Sequence, residues 1–236
     1  APCTRPIWPL ETTPMFDIII PERRIIALDA DGVLLDYNKA AAAVWHSAFG
    51  AVPAVRDPKA YHFRNAYEID LSDKAVYDKY YDTFRRTAWG NMPAMPHAVE
   101  GCNMLHDMGY ELHVVSSMPV GYAEQRAENL RALGMPIASV TATGRMEGSG
   151  NPKLAKLLEL SPVAFVDDLL SNFEGVHDRM HCAYLHWDSV DNPNQEHEHA
   201  LKSSTHHDML SFARYRAMHD DHTAWADAQS VCLAAA

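Results

Sequence analysis

The sequence predicts an α/β protein built on a parallel, Rossmann-like sheet, with a small helical domain inserted after the first strand. Short apolar runs alternate with helical segments over residues 97–188, and strands separated by helices form parallel sheets covered on both faces. Residues 37–95 show helical patterns and no strand pattern. The 236 residues, 47% of them hydrophobic, suffice for one substantial core and a smaller second unit.

The first strand is predicted in RIIALDA, residues 24–30, an apolar run with β-branched residues bounded by charge and glycine. Residues 1–22 precede it and are expected to be an irregular lead-in, with four prolines in the first fourteen residues. The predicted α/β core comprises residues 23–36 and 96–190.

The insert at 37–95 is expected to be a helical cap. Its first helix is the Ala-rich segment that begins at Tyr37 and stops at Gly50. Ser72 and Asp73 are candidates to cap a second helix, on which apolar and aromatic residues recur at helical spacing.

The remainder of the core is predicted to alternate between four helices and four strands. The helices are expected at 97–109, 121–134, 151–160 and 171–180, and the strands at 111–117, 137–143, 162–168 and 182–188. Residues 191–236 form a predicted helical C-terminal extension, which could pack on the core, cover a sheet edge or mediate a dimer. The oligomeric state stays open between monomer and homodimer.

Composition excludes several classes of protein. The net charge of -11 and the pI of about 5.6 argue against a general nucleic-acid binder. Four scattered cysteines without a CxxC pair predict no disulfide framework and favour a reducing compartment. The N-terminal segment lacks the apolar stretch of a signal peptide, and no apolar run approaches the ~20 residues that span a bilayer. We therefore expect a soluble cytoplasmic protein with no membrane partner.

Polar residues gather where the predicted strands end. The first strand ends in Asp29 and Asp31, the second in Ser116, and the fourth in Asp167 and Asp168. In an open parallel sheet, ligands bind outside the carboxyl ends of the strands. We therefore expect these side chains to converge on one rim.

Each of these residue types has a chemical role available at that rim. Clustered carboxylates suit a hard cation such as Mg²⁺, which would offset their mutual repulsion. Of Asp29 and Asp31, one could be a nucleophile and the other a general acid or base. Ser116 could donate a hydrogen bond to phosphoryl oxygens, and Lys153, near a helix start, could add a positive charge.

These segments resemble the four motifs of the haloacid dehalogenase (HAD) superfamily of phosphohydrolases, and they occur in the family's order. LDADGVLLD is similar to the first motif, LHVVSS to the second, Lys153 to the lysine of the third, and AFVDDLLSN to the acidic fourth. The insert at 37–95 resembles the helical cap that the family places between its first two motifs.

The resemblance implies a Mg²⁺-dependent phosphatase acting on a small phosphorylated metabolite. Asp29 would attack phosphorus and form an aspartyl-phosphate, and Asp31 would protonate the leaving group and then activate water. Mg²⁺ would be held by Asp29, the backbone carbonyl of Asp31 and the acidic pair, with Asp168 favoured as the direct ligand and Asp167 acting directly or through water. Ser116 and Lys153 would hold the phosphoryl group.

The chain departs from the family pattern in a few places. Lys153 precedes Asp167 by only fourteen residues, so Lys156 competes for the same role, and Ser117 adjoins Ser116. Asn172 stands where many members have another acid.

Other functions remain open at this point. A phosphomutase would share the chemistry, whereas a 2-haloacid dehalogenase needs neither the second aspartate nor Mg²⁺. The remaining alternative is a non-catalytic ligand-binding protein on the same scaffold. The His-rich segment at 196–207 lacks an HExxH pattern and is expected to be a solvated charged helix.

Overall fold

A six-stranded, fully parallel sheet forms the centre of the molecule. The computed structural model describes residues 24–144, 150–176, 179–194 and 202–220, so the predicted lead-in at 1–22 lies outside the described residues. The strands follow the order β3-β2-β1-β4-β5-β6. Their bounds are β1 Ile25–Leu28, β2 Glu111–Ser116, β3 Ile137–Ala142, β4 Ala164–Asp167, β5 His181–Leu185 and β6 Ser204–His206. The predicted α/β class is confirmed.

The central position of β1 follows from its continuous apolar sequence, since a strand with neighbours on both sides and layers on both faces excludes water throughout. Every residue of β1 is buried. Leu28 pairs in register with Val114 of β2 and with Val166 of β4. The three strands therefore end at one rim, and the residues that follow them are brought together.

Alternate residues of these strands enter two separate apolar clusters, one on each face of the sheet. Ile26 and Leu28 belong to the larger cluster, whereas Ala27 belongs to the smaller one. The period of two is that of a pleated strand. Both faces are covered, as expected for a parallel sheet with crossover helices.

Four α-helices and a short 3₁₀ turn cover the sheet. They are α4 Ala98–Asp107, α5 Ala123–Ala132, α6 Leu154–Leu160, the turn Leu170–Phe173 and α7, which occupies residues 209–220. Side chains of α4, α5 and α7 enter the larger cluster, and those of α6 and the turn enter the smaller one.

The segment at 37–95 is helical. It contains α1 Tyr37–Phe49, α2 Phe63–Ala66 and α3 Lys74–Thr87. Gly50 ends α1 with a positive φ of 76°, and Asp73 caps α3 by accepting from two backbone N–H groups. Buried cap residues such as Tyr80 and Phe84 belong to the same cluster as Leu28. The cap therefore packs continuously with the core.

Two predicted elements differ in the structure. The helix expected at 171–180 is reduced to the 3₁₀ turn, because the Asn172 side chain bonds Asp167 and Gly175 turns the chain with a φ of 72°. The strand expected at 182–188 is shorter and is followed by a further parallel strand, β6. The charged helix expected at 196–207 falls partly outside the described residues, and its described end forms β6.

The C-terminal segment joins the core. After β6 extends the sheet, α7 places Met209, Phe212 and Ala213 in the larger cluster with no exposed surface. No helix in the described part of the chain is long and apolar enough to cross a membrane.

The contact between α4 and α7 depends on the absence of a side chain at Gly101. A Cβ atom there would lie 2.5 Å from the backbone carbonyl carbon of Met209. We expect Gly101→Ala to lower the free energy of unfolding by about 1–3 kcal/mol, since the backbone of α7 must shift. Urea denaturation measures this change. Gly121→Ala is the control, because a Cβ there meets nothing within 4 Å; an equal effect of both substitutions would contradict the prediction.

Candidate functional site

Three carboxylates meet at the rim where β1 and β4 end. Asp29 directly follows β1, Asp167 is the last residue of β4, and Asp168 is the next residue. One oxygen from each lies within 4.8 Å of the others. The three residues are 6%, 0% and 2% exposed. The strand register therefore brings together the acids that the sequence placed at two strand ends.

Lys153 lies between two of these acids. Its Nζ is 2.8 Å from Asp29 Oδ1 and 2.6 Å from Asp167 Oδ2, and its side chain has no exposed surface. The residue stands at the N-terminus of α6, where Asn151 accepts a hydrogen bond from its backbone N–H. Lys156 instead pairs with Glu159 on the protein surface. Of the two candidate lysines, the structure brings only Lys153 to the carboxylates.

The carboxylate of Asp167 is occupied by protein donors. Besides Lys153, it accepts from Asn172 Nδ2, at 3.0 Å from each oxygen, and from the backbone N–H of Leu169 at 2.8 Å. The amide of Asn172 can donate these hydrogen bonds to Asp167, whereas a carboxylate at position 172 could not. Asp167 therefore has little capacity left for a direct ligand.

Asp168 and Asp29 each retain an open oxygen. Among the described residues, the carboxylate of Asp168 accepts a hydrogen bond from the Tyr61 hydroxyl alone, at 3.0 Å to Oδ2. Asp29 Oδ1 accepts from Lys153 and from the backbone N–H of Ala30, which leaves Oδ2 without a protein donor in the described ranges. These oxygens are the ones available to a bound group.

Gly32 allows Asp168 to lie this close to the first strand. The residue has a φ of 85°, and a Cβ atom there would lie 2.1 Å from Asp168 Oδ2. A side chain at this position would therefore displace the carboxylate. Gly32 therefore turns the chain sharply after Asp31 and leaves room for the acid that follows β4.

The charges of this cluster do not balance. Burial raises the pKa of Asp167 and of Asp168, and repulsion from neighbouring carboxylates raises both pKa values further. Burial by itself would lower the pKa of Lys153, but Asp167 and Asp29 raise it overall. Three carboxylates and one ammonium leave an excess of negative charge. A divalent cation with a preference for oxygen ligands, such as Mg²⁺, fits this set of donors.

The carboxylate of Asp31 lies outside the cluster. Its Oδ1 accepts from Arg126 Nη2 at 2.8 Å, and the Arg126 side chain is fully buried. Burial raises the pKa of Asp31 to about 6, with Arg126 lowering it and Asp29 raising it. The two acids predicted as a pair therefore have separate partners. Asp29 forms an ion pair with Lys153, and Asp31 forms one with Arg126, which was not predicted from the sequence.

Arg126 is held by apolar and aromatic neighbours. Its Nη1 is 3.1 Å from the sulfur of Met92, and its guanidinium carbon is 5.4 Å from the centroid of the Trp89 ring. In the sequence, Arg126 is one of several charged residues on an ordinary helix. Only its contact with Asp31, 95 positions away, marks it as part of the site.

Ser116 lies at the same rim. It is the last residue of β2, is 3% exposed, and lines a cavity together with Asp29, Asp31 and Asp168. Ser117 lines the cavity as well. The structure thus brings both serines to the site and leaves the choice between them open.

The cavity above the rim has a volume of about 690 Å³ and extends under the cap. Its floor is formed by the acids and serines, and its walls are mainly aromatic side chains of the cap and of nearby core loops. The aromatic residues of the cap have no local sequence pattern that assigns any of them to this site.

A loop of the cap is fixed to the core beside the carboxylates. Asp191, in the loop after β5, accepts from the backbone N–H groups of Tyr61 and His62, at 2.7 and 3.1 Å, and from Asn65 Nδ2 at 2.8 Å. Burial would raise the pKa of Asp191, but its hydrogen bonds with Ser189, Asn65 and these backbone groups lower it overall. Tyr61 is thereby held with its hydroxyl on Asp168.

Comparison with known proteins supports the predicted fold. No protein-family model matches the chain, and no curated protein sequence matches it significantly. Solved structures do match. A predicted phosphoglycolate phosphatase from Haemophilus somnus aligns over 82% of this chain and 98% of its own, with a TM-score of 0.55 and 15% identity.

Two further structures show the same similarity. A haloacid dehalogenase-like family hydrolase from Streptococcus pneumoniae aligns over 82% of this chain and 98% of its own, with a TM-score of 0.54 and 14% identity. A defluorinating L-2-haloacid dehalogenase aligns over 82% and 94%, with a TM-score of 0.51 and 15% identity. The chain therefore has the HAD-like fold, as the motifs predicted.

Lys153 should be essential to the stability of this site. Lys153→Met keeps an unbranched side chain but leaves two buried carboxylates without their cation, and we expect a loss of about 3–5 kcal/mol in the free energy of unfolding. Chemical denaturation measures the loss. Lys156→Met, which removes a surface ion pair, should change stability by less than about 0.5 kcal/mol. Similar losses in the two variants would contradict the central place of Lys153.

Proposed function

We propose that the protein is a Mg²⁺-dependent phosphatase that hydrolyses a small phosphorylated metabolite through an aspartyl-phosphate. The observation that carries this proposal is the division of the acids at one rim. Three buried carboxylates share a single ammonium, while Asp31 faces the same cavity and bonds a separate arginine. A cation site beside an independent acid is what phosphoryl transfer to a carboxylate requires.

Asp29 is the proposed nucleophile. Its Oδ1 is fixed by Lys153 and by the backbone N–H of Ala30, so that Oδ2 is the oxygen that would form the bond to phosphorus. Ser116 would donate to a phosphoryl oxygen, and Lys153 would offset charge on the phosphoryl group and on Asp29. Asp168 and the carbonyl of Asp31 would hold Mg²⁺ directly, Asp29 would contribute Oδ1 and leave Oδ2 to phosphorus, and Asp167 would act through its hydrogen bonds. When bound, the cation would neutralise charge and polarise a phosphoryl oxygen.

Asp31 is the proposed acid and base. As the bond from phosphorus to the leaving oxygen breaks, protonated Asp31 would give its proton to that oxygen. The resulting carboxylate would be stabilised by Arg126 at 2.8 Å. It would then take a proton from the water that attacks the aspartyl-phosphate, which releases phosphate and restores Asp29. A pKa of about 6 allows both protonation states near neutral pH.

The cap would exclude bulk water from these steps. Tyr61 covers Asp168 from the cap side, and its ring makes an edge contact with Trp187 of the core at 5.3 Å between centroids. Removing water strengthens the electrostatic interactions within a closed site.

The other candidate reactions have less support. A phosphosugar mutase must hold a second phosphate group, yet Arg85 is the single Lys or Arg among the described residues that line the cavity. A dehalogenase needs neither a cation site nor a second acid, whereas this chain has both the carboxylate cluster and Asp31. A non-catalytic protein would not need Asp29 Oδ2 to be open.

The proposed function is tested by phosphate release. Wild-type protein is assayed on a panel of phosphorylated metabolites and on p-nitrophenyl phosphate, with Mg²⁺ and with EDTA. We expect release that requires Mg²⁺ and that falls at least about 1,000-fold in Asp29→Asn, because the nucleophile is lost.

Asp78→Asn is the matched control for that assay, since Asp78 forms an exposed ion pair with Lys74 on α3. It should retain wild-type turnover. Release that persists in Asp29→Asn or in EDTA would rule out the proposed mechanism, and absence of release from every ester would favour a binding protein.

The role of Asp31 predicts a pH dependence that differs between substrates. The acid must be protonated to assist a poor leaving group, so kcat for an alkyl phosphate should fall as pH rises above the pKa of Asp31, about 6, approaching tenfold per pH unit. The decline should be shallower for p-nitrophenyl phosphate, whose leaving group needs little protonation. Asp31→Asn should remain folded and lose most alkyl phosphate turnover at all pH values. Parallel profiles for the two esters would argue against this role.

A further inference from the structure

We infer that the substrate is a phosphate monoester whose leaving group carries a planar aromatic or heteroaromatic ring. This inference rests on the proposed phosphatase function and names the substrate class of the same site. Eight of the residues that line the cavity are Phe, Tyr or Trp. Such side chains supply flat apolar surfaces that favour stacked or edge contacts with another ring.

One wall of the cavity is a continuous series of ring contacts. Phe63 lies 6.1 Å from Tyr37, Tyr37 lies 5.4 Å from Phe84, and Phe84 lies 5.2 Å from Trp89, measured between ring centroids. Tyr122 continues the series at 5.4 Å from Trp89. The wall therefore extends from the cap to the loop that follows β2 and Ser116.

A second aromatic pair lies beside the carboxylates. Tyr61 and Trp187 meet edge to face, with an angle of 74° between their rings. The Tyr61 hydroxyl bonds Asp168, so this pair adjoins the end of the cavity where the phosphoryl group would bind. A leaving group attached to that phosphoryl group would enter a space with aromatic surfaces near the acids and along the wall.

The lining offers little to a charged or polyhydroxylated leaving group. Apart from the acids at the floor, Arg85 is the one Asp, Glu, Lys or Arg among the described residues that line the cavity. The amide nitrogen of Asn38 already donates to the backbone carbonyls of Ala60 and Tyr61. The ring faces of the wall do not replace the hydrogen bonds that a sugar makes with water, whereas they favour contact with a flat apolar group. A quaternary ammonium group would also find aromatic faces, and the acids at the floor would attract it, so the test below includes phosphocholine.

The test compares two phosphates of primary alcohols that differ mainly in planarity. Benzyl phosphate and cyclohexylmethyl phosphate have leaving groups of similar size and similar basicity, so the difference in chemistry is small. We expect kcat/KM with Mg²⁺ to be about 30-fold higher for benzyl phosphate, because only the flat ring can stack on the wall. Ethyl phosphate serves as the reference without a ring.

Three outcomes would overturn the inference. The kcat/KM values for benzyl and cyclohexylmethyl phosphate could agree within about threefold, which would indicate an apolar site without preference for planarity. Phosphocholine could be the best substrate, which would indicate a cation site, or glucose 6-phosphate could be, which would indicate a polar one.

Variants of the wall give an independent readout. Tyr122→Leu removes a ring at the core end of the wall, and we expect the ratio of kcat/KM for benzyl over cyclohexylmethyl phosphate to fall about tenfold. Tyr215→Leu is the matched control: Tyr215 lies on α7, is 39% exposed, and does not line the cavity. That variant should keep the wild-type ratio. An unchanged ratio in Tyr122→Leu would contradict the inference that the ring of the substrate contacts this wall.

Direct binding separates failure of this inference from failure of the proposed function. If no ester releases phosphate, the phosphatase proposal fails. Calorimetric titration with benzylphosphonate and cyclohexylmethylphosphonate, which cannot be hydrolysed, then still measures the preference of the cavity. Tighter binding of the benzyl compound, by about tenfold or more, would support an aromatic ligand, and equal binding would overturn it.

Discussion

The ammonium of Lys153, buried between Asp29 and Asp167, is the interaction on which the rest of the site depends. Carboxylates at the ends of adjacent buried strands repel each other at low dielectric, and burial is tolerated only where charge is compensated. The lysine offsets part of that charge and, by engaging one oxygen of each acid, decides which oxygens remain open. Asn172 completes the hydrogen bonds of Asp167. What faces the cavity is therefore a small, defined set of oxygens on Asp29 and Asp168, and this set determines the chemistry that we propose.

The features that could be predicted from sequence are those encoded locally. Apolar runs, glycine stops and capping residues mark strands and helices within windows of a few residues, and a parallel sheet then brings the strand ends together. This reasoning places Asp29, Ser116 and Asp168 at one rim, and in the structure the three residues line the same cavity. The partners that modify these residues were not predictable in this way. Arg126 contacts Asp31 across 95 positions, and Tyr61 contacts Asp168 across 107. Neither residue has a local pattern that distinguishes it from other surface or core residues of its element.

The two elements that differ from expectation have the same explanation. Residues 171–180 have the composition of a helix, but the side chain of Asn172 serves Asp167 and the positive φ of Gly175 ends the turn. The strand β6 has three residues, too few for a visible alternation, and it exists because β5 offers a free edge beside it. In both places, tertiary contacts outweigh local propensity. Residues 171–180 lie next to the acidic cluster, where the hydrogen bonds that stabilise the buried Asp167 outweigh the helical propensity of the segment.

The hydrogen bonds of Asp191 bear on how this architecture can diversify. A cap inserted between two strands is often regarded as a module that evolution can exchange while the core stays unchanged. Here the backbone of the cap at Tyr61 and His62 is bound by an acid that lies about 130 positions later in the chain. A chimaera that received residues 37–95 from a relative would keep these hydrogen bonds only where the new cap presents the same backbone N–H groups to Asp191. The cap and the loop after β5 therefore form one structural unit beside the cavity, although they are distant in sequence.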